Sequence, residues 1–426
     1  MKGKERRWTA SLVQQSLSQS SNSATVEHDP NGIKKHRFFV KLDSSSEDDE
    51  ILQENDAESS DSDSENNLQN QEEDEDELIK AIKEAQQFQR NHPPDINTEE
   101  FNADICFHPK NDLLGVANML GDIQIYKYST DANELIATHE CHLKSCRDIE
   151  FSDDGNILYS TAKDKSIVLT DVESGKFIRN YEEAHEVPAY CLTIIDENIF
   201  ATGDDDGCVK IWDLRVKEQD PLFSLKKCED YISDMITNDH KKYLVCSSGD
   251  GSLTTININM RKIHVQSEEY EEELTCLGLY NYETKIVAGS SKGRLYSFNW
   301  NEFGLHCDSL PGPKRLISCL IPVTENIVVS SGEDGILRAT HLSPQRHLGV
   351  VGQHNLFVES MDISNDGTII ASSSHNNDIK FWNIQYFEDY EKANTKEKHN
   401  KKKEMKKNLP SSKMKDASDF FAGFAA

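Results

Sequence analysis

His185, Thr202, Asp206 and Trp212 stand close together in the chain, and the first three are the side chains of a proton relay. In such a relay a carboxylate orients an imidazole, which takes the proton of a hydroxyl and makes it a nucleophile. A cognate set recurs at His142, Ser160 and Asp164, and a third at His354, Ser372 and Trp382, where Asn376 occupies the place of the acid. A catalytic set is needed once; one that returns with a regular period serves the scaffold. The run Asp204, Asp205 and Asp206 has the charge to hold a cation, yet it lies in the same recurring turn, so no metal is expected. The chain has no G-x-x-x-x-G-K-[ST] phosphate loop, no H-E-x-x-H zinc pair, no G-x-S-x-G nucleophile turn and no cysteine spacing suited to zinc. The expectation is therefore no enzyme, no cofactor and no small-molecule substrate.

The elements that must position these residues repeat with them. Seven times between Asp104 and Asn383 the chain runs through an alternating strand, a short strand of small residues, a tight Asp/Gly turn and a third strand ending near Trp-Asp. The aliphatic residue just past each turn falls at Ile123, Ile167, Val209, Leu253, Leu295, Leu337 and Ile379, in steps of 44, 42, 44, 42, 42 and 42 residues. This period and these endings predict an all-β, seven-bladed β-propeller over 93–390, each blade being three short strands and a returning outer strand. By spacing, His185, Thr202, Asp206 and Trp212 resemble the hydrogen-bonded His-Ser/Thr-Asp-Trp network of WD-repeat blades. Other blades keep less of it: Thr170 and Thr340 replace the Trp, and Lys292 replaces the turn acid. Glycines such as Gly207, Gly251, Gly293 and Gly335 follow the period and serve the turns. The ring needs a strand from its other end to avoid an open edge. Either the segment 96–101 or IQYFED after Trp382 supplies it.

The net charge of −29 is unevenly spread, at +5 over residues 1–42, −18 over 43–100, −21 over the repeats and +5 over 391–426. An acidic body argues against a broad phosphate-binding face. Ten cysteines are scattered singly through the repeats, as expected of buried thiols in a reducing compartment. The first residues lack a secretory apolar run, and no stretch nears the ~20 apolar residues of a membrane span, so an intracellular, soluble protein without membrane contact is expected.

The flanks differ in kind. Residues 1–76 are expected to be disordered, and 43–77 holds 17 acids, seven serines and no Lys or Arg. Ser44, Ser45, Ser46, Ser60 and Ser62 each have an acid three residues on, the pattern of acidophilic kinase sites. The segment is either a solubilising spacer or a binder of basic proteins such as histones or ribosomal proteins. Residues 77–92 read as a short amphipathic helix with Leu78, Ile82 and Ala85 on one stripe, ending before Pro93 and docking on the propeller or a partner. The tail 391–426 carries ten lysines between Lys392 and Lys415. Lys401, Lys402, Lys403, Lys406 and Lys407 form its densest run, read as a nuclear or nucleolar address or as an arm contacting RNA. Phe420, Phe421 and Phe424 at its end read as a docking peptide.

On the propeller itself, Arg147, Tyr190, Tyr231 and Arg338 are candidate contacts on the face formed by the loops that enter the inner strands. Trp212-Asp213-Leu214-Arg215 has the W-D-x-R form that, by resemblance, marks substrate receptors of cullin-type ubiquitin ligases, with Arg215 toward the adaptor. The stretches ADICFHPKNDLLGVANMLGDIQIYKY, FATGDDDGCVKIWDLR and NLPSSKMKDASDFFAGF together resemble the WD-repeat protein 55 family, called JIP-five in fungi. That resemblance implies a nuclear and nucleolar protein, with some in the cytoplasm, acting without catalysis in ribosomal RNA processing and ribosome production. Its partners would be preribosome assembly factors. A ligase substrate receptor and an acidic chaperone for basic nuclear proteins are the alternatives.

Overall fold

The computed structural model describes residues 91–387 apart from Glu218. The acidic stretch with its serines, the helix expected over 77–92 up to Arg90, the lysine run and the terminal phenylalanines lie outside the described residues. Between them the chain forms seven four-stranded antiparallel sheets arranged as a seven-bladed propeller. Blades one to six span 102–140, 146–181, 189–226, 232–266, 274–310 and 317–353, and the seventh takes Val358–Ile363, Ile369–Ser374 and Asp378–Asn383. Its fourth strand is Ile96–Asn97, which pairs with Ile379 and Asp378. That settles the closure in favour of the segment before blade one. Of the stretch after Trp382, residues 385–387 instead form a helical turn, with Phe387 fully buried between blades six and seven.

Every blade is covered by its neighbours, so the hydrophobic core is divided into seven pieces, one per joint. Tyr159, Ile167 and Leu169 of blade two meet Leu192, Phe200 and Trp212 of blade three, for example. The alternation of the strands sends one set of side chains to each adjacent joint. All seven aliphatic residues that mark the repeat period are at most 3% exposed. Two residues before each stands a residue with positive φ: Gly121, Lys165, Gly207, Gly251, Gly293, Gly335 and Asn377. A Cβ on Gly207 would come within 2.5 Å of the Cys228 carbonyl oxygen, so the turn there admits only glycine without a shift.

The innermost strand of each blade is an edge strand, and the innermost strand of the adjacent blade lies beside it. Its backbone groups are satisfied by side chains of the neighbour. Ile149 N–H donates to Asp104 Oδ2 at 2.9 Å, Leu192 N–H to Asp148 Oδ2 at 2.5 Å and Leu277 N–H to Asp234 Oδ2 at 2.7 Å. Ile194 N–H donates to Glu150 Oε2 at 2.8 Å, and Phe107 N–H to Asp362 Oδ2 at 2.6 Å, across the joint where ring closure occurs. Elsewhere hydroxyls and thiols donate to carbonyls: Cys191 to Ile232, Ser233 to Leu274, Thr275 to Ile317 and Ser318 to Val358. All seven joints therefore carry at least one such bond.

Five carboxyls placed deep in the ring feel their burial. Desolvation pushes Glu150 up to about 8, Asp362 to about 7 and Asp234 to about 6, against the hydrogen bonds from Ile194, Phe107 and Leu277 that favour the anion. Burial raises Asp104, and burial together with the charge of Asp104 raises Asp148 well above the carboxylate range. A carboxyl whose folded pKa exceeds its unfolded value holds more protons folded than unfolded between the two values. Stability therefore falls as pH rises from about 4 through 6–8. Denaturant midpoints should be higher at pH 5.5 than at pH 8. Asp362→Asn, which keeps an acceptor for Phe107 N–H, should match the natural protein only below about pH 4, exceed it already at pH 5.5 and exceed it further at pH 8; an unaltered pH slope in that variant would refute the assignment.

Candidate protein-interaction face

The relay-like sets are built into the joints. In blade three, His185 Nδ1 bonds Asp204 Oδ2 at 2.9 Å and His185 Nε2 bonds Thr202 Oγ1 at 2.7 Å, while Trp212 Nε1–H donates to the same Thr202 oxygen at 2.8 Å. The acid is thus Asp204, not Asp206, whose own carboxylate faces solvent 3.7 Å from Lys226. Asp204 is chosen because its Oδ1 also caps the turn, accepting from the N–H of Asp206 and of Cys208. In blade seven, His354 bonds Ser372 at 2.7 Å and Asp378 at 3.2 Å, with Trp382 Nε1–H on Ser372 at 2.8 Å. Asp378, past the turn, supplies the acid that Asn376 lacks. Blade two joins His142 to Ser160 and Ser166, both at 2.8 Å, with Asp164 at 3.5 Å and bonded to Ser166. Burial opposes ionisation of Asp164, but bonds from His142, Ser166 and the Leu143 N–H outweigh it and hold this carboxyl below its usual range.

Burial holds His185 and His354 below the usual imidazole range despite their acids, so both are neutral at pH 7. Thr202 and Ser372 are each bound by an imidazole and an indole, Ser160 by an imidazole and the Val168 carbonyl, and all three are fully buried. His185, Asp204 and Cys208 bring ligand-type atoms within 4.8 Å of one another. Both nitrogens of His185 are already engaged, and burial raises the Cys208 thiol, so the group reads as a structural clamp.

Three of the four proposed contact residues meet on the surface. Each inner strand carries a bulge at its second residue, and in blades two and three that residue is Arg147 and Tyr190. A bulge re-aims its side chain, here out of the sheet toward the loops. The Arg147 guanidinium lies 5.6 Å from the Tyr190 ring centre and pairs with Asp205 at 2.6 Å. Tyr190 and Tyr231 rings stand 5.0 Å apart, and Tyr231 O–H donates to Glu273 at 3.2 Å. The result is a half-buried shelf running over blades two to five. Arg338 stands apart in blade six, paired with Asp334 at 2.6 Å.

The loops leading into the inner strands are electrically lopsided. Those entering blades three, four and five (182–188, 227–231 and 267–273) carry ten acids and one lysine. Those entering the other four blades carry two acids and three bases. The shelf therefore runs through the acidic half. Arg215 is exposed, and its guanidinium grips Asp213 of its own turn through Nε at 2.9 Å and Nη2 at 2.7 Å.

Comparison with known proteins accords with this architecture. The family model WDR55 matches residues 93–387. This chain belongs to the WDR55 family. It is similar to the WD repeat-containing protein 55 homolog of Aedes aegypti, 56% identical over 350 residues that cover 82% of this chain and 74% of that protein. The homolog of Drosophila willistoni is 52% identical over 82% of this chain and 69% of its own length, and that of Drosophila erecta 51% over 82% and 69%. The family resemblance read from the sequence thus holds, with its first- and third-blade stretches inside the matched residues, and this WDR55 member is a WD-repeat propeller.

Sequence reading missed the axial carboxyls Asp104, Asp148, Glu150, Asp234 and Asp362. Their signal was present, since an acid stands beside an aliphatic residue inside otherwise apolar inner strands, as in ADICF, CRDIEF and SMDI. Replacing Asp204 with Ala should cost about 3 kcal/mol, because it orphans His185 Nδ1–H and two turn N–H groups. Asp206→Ala should stay within about 0.5 kcal/mol. Urea unfolding of both variants measures the difference, and equal losses would return the structural role to Asp206.

Proposed function

We propose that this WDR55 member is a non-enzymatic assembly platform acting in the nucleolus, where it supports ribosomal RNA processing and ribosome biogenesis by holding preribosome assembly factors. The observation that carries this reading is the polarised face: an acidic arc with an aromatic floor, on a rigid ring, suits the lysine- and arginine-rich segments of proteins that bind RNA. Complementary charge raises the rate and selectivity of such encounters, while the half-buried Tyr190 and Tyr231 offer contact area that costs little side-chain entropy on binding. The acidic residues 43–77 would extend the same attraction to basic nuclear proteins, and the lysine tail would supply the nuclear address and any RNA contact.

Affinity purification of the tagged protein from nuclear extract, with nuclease and a salt series, tests the platform. Assembly factors should persist after nuclease and weaken as salt rises. Glu229→Lys/Glu271→Lys/Glu273→Lys should reduce their recovery at least about tenfold with unchanged melting, the equivalent of losing about 1.4 kcal/mol of binding. Unchanged recovery would remove the acidic arc from the mechanism, and a cullin-ligase adaptor as the dominant stoichiometric partner would move it to Arg215. Replacing Lys401, Lys402, Lys403, Lys406 and Lys407 with Gln should spread the protein into the cytoplasm in fluorescence images; retained nucleolar enrichment would contradict the address.

A further inference from the structure

The interaction face carries a second cluster that the acidic arc does not use. Phe101, Tyr231 and Phe357 occupy one position of the repeat. Each immediately precedes an inner strand, and each carbonyl accepts the N–H of a turn residue of its own blade, from Met119, Gly249 and His375, all at 3.0 Å. All three therefore lie at the same end of the ring. Tyr231 belongs to the shelf over blades two to five, whereas Phe101 and Phe357 meet where blade seven joins blade one. Their rings flank His375, with centroids 4.8 and 4.7 Å from its own, and His375 Nε2 is tied to Glu359 Oε2 at 2.8 Å.

Exposed leucines extend this cluster on both sides. Leu356, next to Phe357, is 47% exposed, and Leu120, next to Met119, is 57% exposed. Leu143, in the loop entering blade two, is 93% exposed. It adjoins Leu120, because the His142 N–H bonds the Gly121 carbonyl at 3.1 Å and a Cβ on Gly121 would come within 2.6 Å of the Lys144 carbonyl oxygen. The loop is held on its far side too, since Leu143 N–H donates to Asp164 Oδ2 and Lys163 N–H to the Ser145 carbonyl, both at 2.9 Å. Single apolar residues are ordinary on a surface, but these follow one another through direct contacts over blades seven, one and two. Among the described residues, the entry loops and turns at this end of blades three to six expose no large apolar side chain to that degree.

In a ring of seven, blade four stands opposite the joint between blades seven and one, so the apolar cluster and the centre of the acidic arc face each other across the mouth of the ring. The entry loops of blades seven, one and two carry two acids and one lysine, against ten acids and one lysine in those of blades three, four and five. Two cations at the border are engaged within the ring, Arg147 with Asp205 at 2.6 Å and Lys165 Nζ with the Glu186 carbonyl at 2.7 Å. We propose that Phe101, His375 and Phe357, with Leu120, Leu143 and Leu356, form a second contact site, which takes a large apolar side chain from the same partner segment whose Lys/Arg run lies on the acidic arc. The occupant is a segment of another protein that crosses the mouth, cationic toward blades three to five and carrying Leu, Ile, Met or Phe toward blades seven and one. The arc attracts any polycation, and the apolar site holds only those with the anchor, which separates selection from charge alone. The inference rests on the acidic arc binding basic segments.

Photo-cross-linking of the full chain in nuclear extract, with p-benzoylphenylalanine substituted for Leu356 or for Leu143, tests it. Mass spectrometry of the cross-linked peptides should find a large apolar residue and a Lys/Arg run on one segment of the partner. Leu120→Ser/Leu143→Ser/Leu356→Ser should lower recovery of those partners about tenfold with unchanged melting, and the binding that remains should be lost at lower salt, because only its screened part is left. Glu229→Lys/Glu271→Lys/Glu273→Lys should lower recovery of the same proteins. If the glutamate variant loses partners that the serine variant keeps, the apolar site fails and the acidic arc stands; if the glutamate variant loses none, both fail. Cross-links to a second copy of this chain, cross-links to segments without a Lys/Arg run, or no cross-link at either position would also overturn the proposal.

Discussion

A propeller blade leaves the inner edge of its first strand without a strand to pair with, and this structure depends on how that edge is satisfied. Buried backbone groups must find partners, and in this ring they find the side chains of the adjacent blade. Asp104, Asp148, Asp234 and Asp362 each accept an N–H from the next blade, and Ser233, Thr275 and Ser318 each donate to a carbonyl there. The hydrophobic joints pack the blades together, and these bonds fix the height of one blade against the next. The bulge at the second residue of each inner strand belongs to the same solution. It breaks the alternation so that the acid after it (Asp104, Asp148, Asp234) points across the joint. Where the bulge residue is itself small, as at Ser233, Thr275 and Ser318, that residue bonds the next blade, and in blades two and three it is Arg147 and Tyr190, which turn toward the surface.

The face is therefore a by-product of closure. Tyr190 and Tyr231 can form a shelf because their blades are held in register, and Glu273 of the next loop fixes the far end. Rigidity matters for a platform, since partners held at different loops keep their relative positions only if the ring does. The same constraint carries a cost: carboxyls used as acceptors deep in the ring are desolvated, so part of the fold's stability depends on their protonation.

The two ends of the ring differ in how they solve their edge problem. Blade seven borrows Ile96–Asn97 for its outer strand, and the buried Ile96 joins the core between blades seven and one. Blades one and two instead keep Leu135, Ile136, Phe177 and Ile178 half-exposed on their outer strands.

The sequence by itself determined the blade count, the turn positions and the family. Those depend on local rules: alternation along strands, a left-handed residue at each turn and aliphatic residues at one phase of the repeat. It also marked His185, Thr202 and Trp212 as one network, because their spacing is preserved within a blade. It misassigned the acid at Asp206 and left none for His354, since Asp204, Asp164 and Asp378 reach their imidazoles from three different positions of the turn. Which oxygen arrives is decided by turn geometry in three dimensions rather than by spacing. Only the tertiary structure could choose the closing strand, pair the axial acids with N–H groups some 45 residues away, and gather Arg147, Tyr190 and Tyr231 from three blades. Each of those contacts joins repeats, and the pattern within a repeat does not encode how neighbouring repeats face one another.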